Sequence, residues 1–79
     1  MKQMIYFSGS WCKPCISFGP IMESTGLPFQ KVDVDASPEM ASSYNVRSVP
    51  TVLILENGKE IKRVTGIQSK QTIMNLYHG

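Results

Sequence analysis

Both cysteines of the chain, Cys12 and Cys15, lie two residues apart in the stretch SGSWCKPC. That stretch joins two segments of different hydrophobic period. Upstream, QMIYFS (Gln3 to Ser8) is an apolar, aromatic-rich run that reads as a buried strand ended by Gly9. Downstream, Lys13 to about Thr25 carries Ile16, Phe18, Ile21 and Met22 in a helical pattern and stops at Gly26-Leu27-Pro28. Pro20 falls inside this helix, removes one of its hydrogen bonds and is expected to kink it. Two thiols one helical turn apart therefore sit at a strand-to-helix junction, and the fold has to accommodate that junction.

The remaining segments alternate in type. FQKVDVD (Phe29 to Asp35) has the two-residue period of a strand. Ser37-Pro38-Glu39 reads as a cap residue followed by proline at a first helical position, opening a short helix to about Tyr44. TVLILE (Thr51 to Glu56) is apolar enough to be a central strand, and Asn57-Gly58 is a hairpin turn. KEIKRVT (Lys59 to Thr65) returns as an exposed edge whose charges discourage sheet-to-sheet pairing. Ser69 can cap a last helix with Ile73, Leu76 and Tyr77 on its apolar face. The order β-α-β-α-β-β-α predicts an α/β fold with a four-stranded mixed sheet flanked by three helices. The first two strands, joined through a helix, should run parallel.

Composition narrows the function classes. A chain of 79 residues suits one domain, 1–79, with a thin core. The net charge of +2 comes from scattered basic residues, and only KEIKR is locally rich, reading as the solvated face of a strand. No basic stripe is interleaved with aromatics, so no nucleic-acid role is expected. The apolar run Met4 to Phe7 is too short for a membrane span or a signal-peptide core. The chain, which starts with Met1, is expected to be cytoplasmic and monomeric.

Four readings compete for Cys12 and Cys15. A zinc site as a rule needs four ligands, and the chain adds only His78 to the two thiols. A structural disulfide here would close a very small loop, whereas cross-links stabilise mainly by closing long ones. Two inert thiols stay open as a reading, although they need no such spacing. The spacing, the cysteine count and the βαβ setting favour a reversible dithiol–disulfide site. At the helix start, free backbone N–H groups and the helix dipole favour a Cys12 thiolate, and Lys13 adds a positive charge. Cys15, one turn further in, should be more buried and less ionised. Pro14 needs no N–H at an early helical position and stiffens the spacer, which bears on the redox potential. Trp11 is either a buried aromatic or a wall of the site.

These residues resemble the thioredoxin family. WCKPC (Trp11 to Cys15) is similar to that family's Trp-Cys-Gly-Pro-Cys motif, with Lys13 in place of glycine. Phe7, Pro20, SVPT (Ser48 to Thr51), KVDVD, YNVRSVPT, ENGK and GIQSK fit the same pattern. The resemblance implies a thioredoxin-like fold and a protein thiol-disulfide oxidoreductase with no bound cofactor or metal. Cys12 would be the nucleophile and Cys15 the resolving thiol. Pro50 would be cis, the backbone of Val49 would pair with substrate, and Trp11, Val49, Gly66 and Ile67 would form a shallow docking surface. Gly66 reads equally as a residue allowing close backbone approach and as a turn glycine ending the strand. Implied partners are disulfide-containing proteins and a thioredoxin-reductase-type or other dithiol donor.

Two departures stand out. Relative to the family, the chain starts at the second strand, giving a glutaredoxin-sized core. Tyr6 stands where the family has a buried aspartate that assists proton transfer from the second cysteine, while that aspartate's usual neighbour, Lys31, remains. Water, Lys31 or the Tyr6 hydroxyl are the candidates for that step. The rival functions are a glutathione-dependent, glutaredoxin-like enzyme and a non-catalytic binding module. Against the first, no Gly-Gly-acidic stretch follows the hairpin, where VTGIQSK stands instead.

Overall fold

A computed structural model describes residues 1–79. The elements are β1 (Lys2–Ser8), α1 (Lys13–Ser24), β2 (Gln30–Asp33), α2 (Pro38–Ser43), β3 (Thr51–Glu56), β4 (Lys59–Thr65) and α3 (Lys70–His78). The sheet order is β2-β1-β3-β4. β1 pairs parallel with β2 and antiparallel with β3, and β3 pairs antiparallel with β4. The mixed sheet and three helices follow the order expected from the sequence.

Period-two alternation along the central strands builds two cores. Met4, Tyr6, Val52 and Ile54 pack with Phe18 and Met22 of α1 and Ile73 of α3. Ile5, Phe7, Leu53 and Leu55 point the other way, onto Val32 and Ala41, with Met40 of α2 and Tyr44 just after it beside them. Both central strands are apolar on both faces because helices cover both sides. Phe18 is fully buried, and truncating such a side chain to alanine costs about 3–5 kcal/mol.

Local chemistry sets the ends. Asn57 and Gly58 both have positive φ (53° and 82°), as a type I′ hairpin turn requires. Asn45, at φ 55°, terminates α2 while the Val46 N–H donates to the Ala41 carbonyl at 2.8 Å. The Ser69 hydroxyl accepts from the Thr72 N–H at 3.1 Å and caps α3. At the other end of α3, the Lys62 and Lys2 ammonium groups donate to the Leu76 and Tyr77 carbonyls, as suits cations at a helix C-terminus.

Three local expectations need correction. β2 stops at Asp33 instead of Asp35, because the Asp33 carboxylate accepts from the N–H groups of Asp35 (2.8 Å) and Ala36 (3.3 Å) and bends the chain. Ser37 stands at the N-cap of α2, but its side chain makes no capping bond. KEIKR is not simply a solvated face. The register between β3 and β4 shifts so that Ile54 pairs with Lys62 and Leu55 with Glu60, leaving Ile61 as an extra, exposed residue. That bulge puts Glu60 and Arg63 on one side, where the Arg63 guanidinium grips the Glu60 carboxylate through two bonds of 2.8 Å. Its remaining donors reach the carbonyls of Tyr44 and Asn45 at the end of α2.

Candidate redox site

Cys12 is the N-cap residue of α1, with extended backbone (φ −90°, ψ 106°), and Lys13 and Pro14 open the helix. The N–H of Cys15 donates to Cys12 Sγ at 3.2 Å. The helix thus directs one of its free N–H groups at this sulfur, an arrangement that stabilises negative charge there. The two cysteines form a disulfide, with Cα atoms 5.3 Å apart. In this oxidised state they are equally buried, at 4% and 5% exposure. The expected contrast between an exposed Cys12 and a buried Cys15 is absent, because the linked sulfurs share one environment.

The Val49–Pro50 peptide bond is cis, as the resemblance implies. Cys12 Sγ lies 3.7 Å from the Val49 carbonyl oxygen. The Val49 N–H makes no hydrogen bond within the chain. Beside these atoms runs a groove of about 100 Å³ lined by Trp11, Val34, Val46, Arg47, Ser48 and Val49. Trp11 is a wall and not a core residue: it is 65% exposed. Its indole N–H donates to Asp35 Oδ2 at 2.6 Å. Gly9 lies under the ring, where an added Cβ would sit 2.9 Å from Trp11 Cε2.

Gly66 and Ile67 do not line that groove. The Gly66 N–H donates to the Pro50 carbonyl at 2.8 Å, so it adjoins the cis proline. A Cβ on Gly66 would meet open space, and its φ is +81°. The positive φ favours glycine at this turn, and the open space beside it leaves room for an approaching backbone. Ile67 is exposed.

A second cleft, of about 180 Å³, opens on the other side of the disulfide, where Cys15 meets Tyr6, Lys31 and Asp33. Tyr6 is buried, and its hydroxyl donates to the Cys15 carbonyl at 3.1 Å. Burial pushes the Tyr6 phenol above its ordinary value, only partly offset by Ser8. Tyr6 is thus a neutral donor and not a proton acceptor at physiological pH. Lys31 is exposed and lines the same cleft. Nowhere do three or more His, Cys, Asp or Glu side chains gather into a metal-holding group.

Asp35, Gly9, Val34, Val46 and Arg47 were not singled out from the sequence. A usable signal existed for Asp35: it follows the carboxyl end of a strand parallel to the one that leads into the cysteines, and sites in α/β sheets gather there.

A cis proline facing a disulfide at the start of a helix, on a β2-β1-β3-β4 sheet covered on both faces, defines a thioredoxin-fold thiol-disulfide oxidoreductase. Comparison with known proteins agrees. The thioredoxin family profile matches residues 1–78. The chain is 37% identical over 78 residues to a thioredoxin of Chlamydia trachomatis serovar D, covering 92% of this chain and 76% of the relative. It is 31% identical over 80 residues to a thioredoxin of Staphylococcus aureus, covering 94% and 77%. Among solved structures, a mutant thioredoxin from Halobacterium salinarum superposes with a TM-score of 0.90 at 30% identity, covering 98% of this chain and 72% of that one. A Fasciola hepatica thioredoxin gives 0.89 at 29% identity, covering 98% and 78%. The chain belongs to the thioredoxin family and is a thiol-disulfide oxidoreductase.

Proposed function

We propose that the chain reduces disulfides in partner proteins, with Cys12 as nucleophile and Cys15 as resolving thiol. In the reduced protein the Cys12 thiolate attacks one sulfur of a substrate disulfide. The other substrate sulfur leaves with the bonding electron pair. Cys15 then loses its proton and attacks Cys12 Sγ. The Cys12–Cys15 bond forms, and the second substrate sulfur leaves as a thiolate. The substrate gains two electrons and the protein dithiol loses them. A thioredoxin-reductase-type or other dithiol donor restores the starting state.

The observation that carries this reading is Cys12 at the N-cap of α1, 3.7 Å from the carbonyl of Val49, beside a groove open to a peptide. The unused Val49 N–H supports pairing with an extended substrate segment, and the apolar wall of Trp11, Val46 and Val49 supports contact with its side chains. The proposed compartment is the cytoplasm: both cysteines belong to the exchange pair, so the fold requires no oxidising environment. No helix is long and apolar enough to cross a membrane.

Insulin reduction monitored by turbidity tests the reading. The wild type should precipitate the insulin B chain, Cys12→Ser should not, and Cys15→Ser should accumulate a covalent mixed disulfide. A wild type as inactive as Cys12→Ser would overturn it. Glutathione should reset the oxidised site poorly, and efficient glutathione-coupled turnover would move the assignment to the glutaredoxin-like alternative.

A further inference from the structure

The resolving step needs somewhere for the Cys15 proton to go. The cleft on that side of the disulfide brings only three other titratable side chains to Cys15: Tyr6 from β1, and Lys31 and Asp33 from β2. Tyr6 is engaged as a donor to the Cys15 carbonyl. A lysine ammonium has donors and no lone pair. Asp33 differs. Its Oδ1 accepts from the Asp35 and Ala36 N–H groups, but Oδ2 has no protein partner. Asp33 pairs with Ser8 across β1–β2, as Lys31 pairs with Tyr6, so all four side chains share the sheet face on which α1 carries Cys15. Asp33 ends β2 beside Ser8, which ends β1. The cleft, about 180 Å³, has room for several waters.

We infer that Asp33 is the proton acceptor for Cys15, acting through water in this cleft. This rests on the disulfide-exchange reading above and names a residue that completes it. As Cys15 Sγ attacks Cys12 Sγ, the S–H proton passes through water to Asp33 Oδ2. The Cys15 electron pair forms the new S–S bond, and the pair of the broken bond leaves on the substrate sulfur. Asp33 returns its proton to solvent through the open mouth of the cleft. Asp35, the nearest other carboxylate along the chain, does not compete, because it does not line this cleft and turns its Oδ2 to the Trp11 indole instead.

Stopped-flow reaction of the reduced chain with dithiobis-nitrobenzoate tests the role. The first equivalent of coloured thiolate reports attack by Cys12, and the second reports displacement by Cys15. Asp33→Asn is the informative variant, since the amide oxygen can still accept from Asp35 and Ala36 and preserve the turn. Its first phase should match the wild type. Its second phase should slow by about tenfold or more, at the low end for general-base assistance, and should recover with added imidazole. An unchanged second phase, equal slowing of both phases, or a slow second phase that ignores imidazole would each overturn the assignment. If the wild type releases no first equivalent, the exchange reading fails instead, and the two failures are thereby distinguished.

Discussion

Trp11, a wall of the groove beside the disulfide, is tied to Asp35, indole nitrogen to carboxylate oxygen at 2.6 Å. An exposed tryptophan would otherwise sample several rotamers. The bond fixes one of them, and Gly9 leaves room beneath the ring. Docking therefore meets a wall that is already ordered, which lowers the entropy lost on binding.

Asp35→Ala should weaken docking and leave the chemistry intact. A hydrogen bond of this kind contributes about 1 kcal/mol net, so KM for a protein disulfide should rise roughly fivefold while kcat changes little. Gly9→Ala should do the same by displacing the ring instead of freeing it. Steady-state insulin reduction separates the two parameters. A fall in kcat at constant KM would mean that Trp11 acts on the reacting sulfurs.

Tyr6→Phe should cost about 1 kcal/mol by removing one buried hydrogen bond, lowering Tm by roughly 4–8 °C for a domain of this size. The alkaline behaviour is more diagnostic. Burial raises the folded pKa of Tyr6 above the unfolded value near 10. The folded state then holds the proton where the unfolded chain has released it. The contribution is complete below about pH 10 and is lost as pH rises through the folded value. Denaturant melts from pH 8 to 11 should show the wild type losing stability more steeply than Tyr6→Phe. Parallel curves would mean that the phenol is hydrated.

Arg63 bridges β4 to the end of α2 and pairs with Glu60 through two bonds that need its planar fork. Arg63→Lys should therefore destabilise almost as much as Arg63→Ala, by about 1–2 kcal/mol, since an ammonium cannot reproduce that geometry. Arg63 holds the Glu60 carboxyl below its ordinary value, chiefly by hydrogen bonding. That part of the stabilisation is present above the unfolded carboxyl pKa and fades as pH falls through the lowered one. Thermal melts at pH 7 and pH 3 check both statements: the gap between wild type and Arg63→Lys should narrow in acid.

The framework was legible because hydrophobic period, turn residues and the cysteine spacing agree with one another. Asn57-Gly58, Ser69 and the alternation of β1 and β3 each act locally, and local chemistry is what a linear reading captures. The site was legible in part. Cys12, Cys15 and Trp11 are contiguous, and Pro50 lies in a recognisable motif. Asp33 was not legible as a site residue and Asp35 only through its place after a parallel strand, because their roles arise where β2 ends beside the start of α1. The β4 bulge was hidden for a related reason. KEIKR fits simple alternation, and only pairing with β3 makes Ile61 the extra residue and turns Arg63 towards α2.

Lys13 tests how far local charge sets the redox poise. It is the first residue of α1, adjacent to Cys12, and it is exposed. Its positive charge stabilises a Cys12 thiolate and so favours the reduced protein. Lys13→Gln removes the charge but keeps most of the stem, avoiding the added backbone freedom of glycine. An exposed pair of this kind is worth about 0.5–1 kcal/mol, or about 10–20 mV for a two-electron couple. The potential should become more negative by that amount, and the difference should shrink in 1 M salt, where the screening length falls to about 3 Å. Equilibration against a thiol redox buffer at low and high salt measures both. A shift of the same size at both salt concentrations would show that spacer conformation, and not charge, carries the effect of Lys13.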